Sequence, residues 1–338
     1  MPDQALANSD LQSALIEARQ AYADSNPQSL GRHHEACEAM PGGNTRTTLH
    51  NSPFPLTVVR GEGCRLWDAD GHVYIDVLGE YTAGIYGHSH PVIRAAVDRA
   101  LNHGWNYGGR NENEARLAKL IADRMPSIDL VRFTNSGTEG NVMALAGARV
   151  FAQRNGRTRA TKVMVFHGGY HGGVLYFVSG GSPVNIPYDF IVAPYNDIEG
   201  TRTLLAEHGE ELFAVLLEPM QGSHGCLPGD VGFLKMVREE TKARGITMIF
   251  DEVMTSRLSP GGLQEKHGVI PDMTTLGKYI GGGMSFGAFG GRRDIMELFD
   301  PTKADSLPHA GTFNNNALTM AAGVAGYGEV YTPAAAAE

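Results

Sequence analysis

Cysteine is scarce in this chain. Only Cys37, Cys64 and Cys226 occur among 338 residues, too scattered for a disulfide framework or a thiolate metal site. A reducing, cytoplasmic setting is therefore expected. Runs of lysine and arginine are lacking as well: 28 basic residues stand against 37 acidic ones, with a formal net charge of −9. Such a balance leaves no electrostatic footprint for nucleic acid or an anionic membrane surface. No apolar stretch is long enough to span a bilayer, and Met1 to Asn26 mixes Asp, Gln, Glu and Arg among its apolar residues instead of forming the core of a signal peptide. Internal repeats, low-complexity tracts and long linkers are missing too. A soluble protein with a small-molecule partner is what these absences leave, and the length suffices for one large α/β domain with a smaller appendage.

What is present is an alternation of helix and strand patterns. Residues 9–24 have helical periodicity, with Leu11, Leu15, Ala18 and Tyr22 on one side, and a second helix is expected over 33–40, ended by Pro41-Gly42-Gly43. Residues 64–77 read as strand, Asp70-Gly71 turn, strand. From about residue 91 helices are expected over 92–103, 112–125, 140–153, 232–243 and 317–325. Strands are expected over 130–134, 162–166, 213–217, 247–250, 274–276 and 286–289. Strands separated by helices predict an α/β fold with a mostly parallel sheet covered on both faces. Ligands of such sheets gather beyond the carboxyl ends of the strands. Ser136, His167 to His171, Glu218 and Asp251 each follow a predicted strand, which points to one site assembled from distant segments.

Lys278 lies between an apolar run and Gly281-Gly282-Gly283. Desolvation in such a place lowers the pKa of an amine and frees it as a nucleophile for a carbonyl, whereas an isolated lysine is more commonly a solvated surface residue. Asp251 ends Ile249-Phe250-Asp251; beside a pyridine ring its carboxylate would keep the ring nitrogen protonated, and otherwise it is a capping residue. Together the two suggest pyridoxal phosphate. Thr134-Asn135-Ser136-Gly137-Thr138-Glu139 opens a helix, and free N–H groups with small hydroxyls suit a phosphate monoester, although an ordinary N-cap accounts for the same residues. In His167-Gly168-Gly169-Tyr170-His171-Gly172-Gly173 four glycines in seven residues disfavour a helical metal pair, and no third ligand motif accompanies the histidines. Such a loop instead lets Tyr170 lie flat on a planar ring, with His171 as a local hydrogen-bonding residue. Glu218-Pro219-Met220-Gln221 supplies a carboxylate and an amide for the cofactor or for the loop itself, and the turn Gly311-Thr312-Phe313-Asn314 offers a second hydroxyl for phosphate.

These segments resemble the class III aminotransferases, pyridoxal-phosphate enzymes of fold type I that include glutamate-1-semialdehyde aminomutase. The likeness runs from about Met40 onward and is densest at Asn135-Ser136-Gly137-Thr138-Glu139, Gly169-Tyr170-His171-Gly172, Asp251-Glu252-Val253-Met254-Thr255, Leu276-Gly277-Lys278-Tyr279 and His309-Ala310-Gly311-Thr312-Phe313. The resemblance implies a large cofactor domain over 79–325 built on a seven-stranded-type sheet. An N-terminal segment over 1–78 would belong in part to a small domain, whose C-terminal half begins at 326–338 and is expected to be missing. It assigns Lys278 to the cofactor aldehyde, Asp251 to the ring nitrogen, Tyr170 to the ring face, and Ser136, Gly137 and Thr138 to the phosphate. Thr312 would reach the phosphate of the neighbouring subunit, which implies a homodimer with shared sites.

Within the family, Met40-Pro41-Gly42-Gly43-Asn44-Thr45-Arg46, Glu80-Tyr81-Thr82-Ala83-Gly84 and Met284-Ser285-Phe286-Gly287 are similar to bacterial transaminases of aromatic β-amino acids. That likeness implies transfer of an amino group from a donor such as β-phenylalanine to a 2-oxo acid such as 2-oxoglutarate or pyruvate. Arg46 would hold the substrate carboxylate in a bidentate manner, and Tyr81 would line the pocket. The aminomutase, which needs no external acceptor, is the alternative; Thr45-Arg46 stands where it has a Ser-Pro pair. Because family members continue beyond this chain's last residue, Glu338, a cofactor-binding but inactive fragment is the third expectation.

Overall fold

The computed structural model describes residues 3–338, and the chain forms two compact units, one running to Gly79 and including Gly87–His90, the other comprising Glu80–Tyr86 and Pro91–Glu338. The first holds helices Asp3–Ser25 and Pro27–Cys37 and an antiparallel sheet of β1 (Val58–Glu62), β2 (Arg65–Asp68) and β3 (Val73–Ile75). Buried Asp68 builds the turn between β2 and β3 by accepting the amides of Asp70 and His72 and the hydroxyl of Tyr74. Asp70 then caps the second helix, taking the amides of Gln28 and Ser29 at 2.7 and 3.0 Å. That helix spans Pro27–Cys37 where sequence periodicity suggested 33–40, because its cap comes from a residue more than forty positions away, out of reach of local pattern.

The second unit is built on seven strands: β4 (Leu130–Thr134), β5 (Lys162–Phe166), β6 (Asp189–Ala193), β7 (Leu212–Leu217), then, past a two-residue hairpin of β8 (Met220–Gln221) and β9 (Leu227–Pro228), β10 (Thr247–Asp251), β11 (Met273–Gly277) and β12 (Gly287–Gly291). The large sheet has the order β4-β12-β11-β10-β7-β5-β6. Every neighbour pair is parallel except those made by β12, which runs against β11 and β4. Five of the six predicted strands coincide with these to within a residue; β12 begins at Gly287, one past the predicted start, and extends to Gly291. The edge strand β6 is absent from the predicted set although Phe190-Ile191-Val192-Ala193 is a continuous apolar run; its residues alternate between the two core layers, with only Ala193 fully buried.

Alternate residues of the central strands face opposite layers. Val163 and Val165 pack with Phe213, Ile249 and Phe289 beneath Ala144, Leu145 and Ala148 of helix Gly137–Arg154. Met164 and Phe166 join Val215, Leu217 and Phe250 beneath Phe233, Leu234 and Val237 of helix Val231–Arg244. Near the end of the described chain, helix Ala317–Ala325 widens into the turn Gly326–Val330. There the Arg124 guanidinium lies 3.9 Å over the Tyr327 ring and donates to the carbonyls of Tyr327 and Tyr331. Among the described residues no helix is long and apolar enough to cross a membrane.

Sheet and helix start meet at Gly287, where a Cβ would fall 2.0 Å from the Ser136 carbonyl oxygen. Backbone cannot yield as a side chain does. Gly287→Ala is expected to cost about 1–3 kcal/mol of stability, read as a lower guanidinium midpoint. Gly232→Ala, at a helical glycine with nothing within 4 Å, should leave the midpoint unchanged or raise it.

Candidate active site

Five strand ends of the second unit, those of β4, β5, β7, β10 and β11, deliver the predicted residues to one end of the sheet. After β4 the chain turns at Ser136 into helix Gly137–Arg154. The Ser136 hydroxyl accepts the Glu139 amide at 3.2 Å and its carbonyl accepts the Gly140 amide at 3.0 Å. The amides of Gly137 and Thr138 have no acceptor within the helix, as its first turn requires, and with the helix dipole they favour an anion. Two loops close on this point: a Cβ at Gly137 would meet Val253 at 2.7 Å, and one at Gly172 would overlap the Thr138 hydroxyl at 2.0 Å. Glycine is what lets the loops approach.

Asp251, the last residue of β10, is buried. Its Oδ2 accepts Asn141 Nδ2 at 2.8 Å and faces His171 Nδ1 at 2.9 Å, and its Oδ1 accepts the Val253 amide at 3.0 Å. Donors from a helix and two loops thus converge on one carboxylate, a setting complementary to an anion. His171 therefore bonds across 80 residues of sequence instead of locally, and its Nε2 is buried with no partner among the described residues.

Glu218, at the end of β7, accepts the amides of Tyr170 and Gly222 on its two oxygens, at 2.9 and 3.1 Å. It thereby sets the backbone of the glycine loop beneath Tyr170. Tyr170 is 40% exposed and its ring stands edge-on to Tyr176. Gln221 donates Nε2 to the His167 carbonyl at 2.8 Å, while its buried Oε1 has no partner among the described residues.

Lys278 follows β11 directly, three residues past Thr275, the register partner of Asp251. Its φ is +52°, a left-handed conformation costly for a side-chain-bearing residue. Nζ donates to the Tyr81 carbonyl at 2.8 Å. Tyr81 sits in a short segment, Glu80 to Thr82, whose three φ angles are all positive, and it meets Lys278 through its backbone, with its side chain exposed. Thr312 is exposed; its carbonyl accepts Asn106 Nδ2 at 3.4 Å. Arg46 belongs to the first unit, exposed just before the turn Thr47–Leu49.

Sequence reasoning missed Asn141 and Thr275. Thr275 Oγ1 donates to Asn141 Oδ1 at 2.7 Å, and the same amide reaches Asp251 and the His171 carbonyl. A signal existed: Asn141 falls in line with Ala144, Leu145 and Ala148, a polar residue on an otherwise apolar helix face.

A helix start open to an anion, a buried carboxylate complementary to a protonated ring nitrogen, an orphaned amide oxygen, an exposed tyrosine and a primary amine form a donor set that fits pyridoxal phosphate. A model of the class-III aminotransferases matches residues 47–332. The chain is 53% identical over 331 residues to the β-phenylalanine transaminase of Variovorax paradoxus, covering 98% of this chain and 75% of that protein. The crystal structure of the β-phenylalanine aminotransferase from that organism superposes with a TM-score of 0.92 over 96% of this chain and 74% of that one. Glutamate-1-semialdehyde 2,1-aminomutase of Methanosarcina acetivorans is 41% identical over 88% of this chain and 72% of its own length. A transaminase solved with PLP bound is 34% identical, with a TM-score of 0.85 over 92% of this chain and 75% of that one. The chain belongs to the class III aminotransferases, pyridoxal-phosphate-dependent enzymes of fold type I.

Burial raises the Glu218 carboxyl to about 7, helped by the negative charge of Asp251 and opposed by His171 and the two amides. The folded protein thus keeps a proton that the unfolded chain releases near the ordinary value of 4.5. This contribution is whole below about 4.5 and lost as pH rises through about 7. Urea unfolding of the cofactor-free wild type, referred to Glu218→Gln, should therefore weaken across that interval. A difference that stays flat over the interval contradicts the raised value.

Proposed function

We propose that the protein transfers the amino group of an aromatic β-amino acid, with β-phenylalanine as the model donor, to a 2-oxo acid such as 2-oxoglutarate or pyruvate. The observation that carries this reading is the likeness to the Variovorax paradoxus enzyme along nearly the whole chain. Bound, the cofactor supplies an aldehyde for the Lys278 amine and an electron-accepting ring for the substrate carbon.

The chain's own residues divide the remaining work. Gly137 and Thr138 present amides, and Ser136 and Thr138 hydroxyls, to the phosphate. Asp251, held by its donors, stabilises a protonated ring nitrogen, and Tyr170 covers one ring face. Glu218 holds the Tyr170 backbone, and the orphaned Oε1 of Gln221 is offered to a hydroxyl donor on the ring. Lys278 would hold and return the proton at the substrate carbon; its amine rests 2.8 Å from the Tyr81 carbonyl, a position that an ammonium can occupy. Arg46 takes the substrate carboxylate and Tyr81 borders the side-chain pocket. Thr312 serves the phosphate of a second subunit, a reading supported by exposed Trp105 and Phe313, at 67% and 59%, in and beside the segment that Thr312 bonds. A homodimer with shared sites covers them. We place the protein in the cytoplasm, where Cys37, Cys64 and Cys226, all exposed and unpaired, stay reduced.

Borohydride treatment of the holoenzyme is expected to fix the cofactor on Lys278, and Lys278→Ala should abolish turnover while cofactor phosphate still binds. Label on another lysine would sink the assignment. Incubation with β-phenylalanine and 2-oxoglutarate should yield glutamate; an aminomutase would give none, and a colourless aggregate on size-exclusion chromatography would indicate an inactive fragment. Arg46→Ala should raise KM for the β-amino acid by about tenfold or more, the cost of one charge-assisted carboxylate contact, and an unchanged KM removes Arg46 from that role.

A further inference from the structure

Three polar side chains that carry no chemistry of their own converge behind Asp251. Asn141, 1% exposed in the second turn of helix Gly137–Arg154, spends every hydrogen-bonding group of its amide. One Nδ2 hydrogen goes to Asp251 Oδ2 at 2.8 Å and the other to the His171 carbonyl at 3.1 Å, while Oδ1 accepts from Thr275 Oγ1 at 2.7 Å. Turning the amide over would set Oδ1 against a carboxylate and a carbonyl at once, two acceptor–acceptor contacts in a buried place. Thr275 sits in β11 opposite Asp251 in register, and its own carbonyl accepts the Glu252 amide at 3.0 Å. The hydroxyl therefore has one well-placed acceptor, and it fixes which way Asn141 faces.

We propose that Thr275 and Asn141 form a positioning relay for Asp251: the Thr275 hydroxyl orients the Asn141 amide, and Asn141 with His171 clamps Oδ2 of Asp251, so that the carboxylate keeps one rotamer toward the cofactor ring nitrogen. The proposal rests on the assignment of Asp251 to that nitrogen. It joins the two residues of the reaction mechanically, because Thr275 lies in the strand that ends at Lys278, three residues on. His171 belongs to the clamp through Nδ1, which faces Asp251 Oδ2 at 2.9 Å.

The test uses purified holoenzyme of the wild type, Thr275→Val, Thr275→Ser, Asn141→Ala and, as a yardstick, Asp251→Asn. Thr275→Val keeps shape and removes only the hydroxyl, so it guards against an Asn141→Ala protein that fails to fold. Two readouts are independent of turnover: the pH at which the visible band of the bound cofactor titrates, and the dissociation constant of pyridoxamine phosphate by fluorescence quenching. Thr275→Val is expected to move the band's titration in the same direction as Asp251→Asn, to weaken pyridoxamine phosphate by about tenfold, and to lower kcat with KM for the amino donor little changed. Thr275→Ser should restore all three. A Thr275→Val enzyme with wild-type titration and affinity overturns the relay, and so does a Thr275→Ser enzyme as impaired as Thr275→Val, since packing of the methyl group would then be the cause. If Asp251→Asn itself leaves the spectrum and the affinity unaltered, it is the ring-nitrogen assignment that fails, and the relay falls with it.

Discussion

A carboxylate buried at the end of a central strand must be met by donors, and this requirement organises the site. Removing Asp251 from water is tolerable only because a helix, the loop after β5 and the turn after β10 each send it an N–H. Each of those elements is in turn placed by something else. The helix start is pinned against β12 at Gly287, the glycine loop is held by Glu218 and Gln221, and the turn is fixed by Val253 packing on Gly137. Moving any one of them would leave a charge short of a partner, at a cost of a few kcal/mol. The cup for an anion, the aromatic face and the amine thus share one framework.

Much of this was legible in sequence, for identifiable reasons. Strands β5, β7 and β10 are apolar on both faces, so their runs are continuous and bounded. Lys278, Asp251, Tyr170 and the Ser136 to Thr138 turn stood out because glycines and small polar residues follow strands there. What escaped is what depends on tertiary partners. Helix Pro27–Cys37 is capped by Asp70, from the turn between β2 and β3. Asn141 and Thr275 lie inside elements, where single polar residues in an apolar pattern look like noise. His171 was read as a local bonding residue, whereas its partner comes from another strand. Local pattern locates elements; it does not say which buried polar groups will find one another.

Glu218 illustrates how one group can be pulled two ways. Two amides invite its ionised form, yet burial and the nearby Asp251 charge prevail and leave it protonated over part of the neutral range. Of these two carboxyls, Asp251 is ringed by donors, while desolvation dominates at Glu218.

The reversed strand β12 bears on how the amine moves. Parallel neighbours require a long crossover, but β11 and β12 are antiparallel, with Gly277 paired to Gly287, so the segment from Lys278 to Phe286 returns into the sheet where it left. Only a single short helical turn, Lys278–Gly281, lies between them. The lysine is therefore an arm on a clamped base: movement of its amine away from the Tyr81 carbonyl is side-chain rotation, which takes picoseconds to nanoseconds, and not loop rearrangement a thousand times slower. Insertions that other connections of the fold would absorb on their outer surfaces would here shift the amine itself.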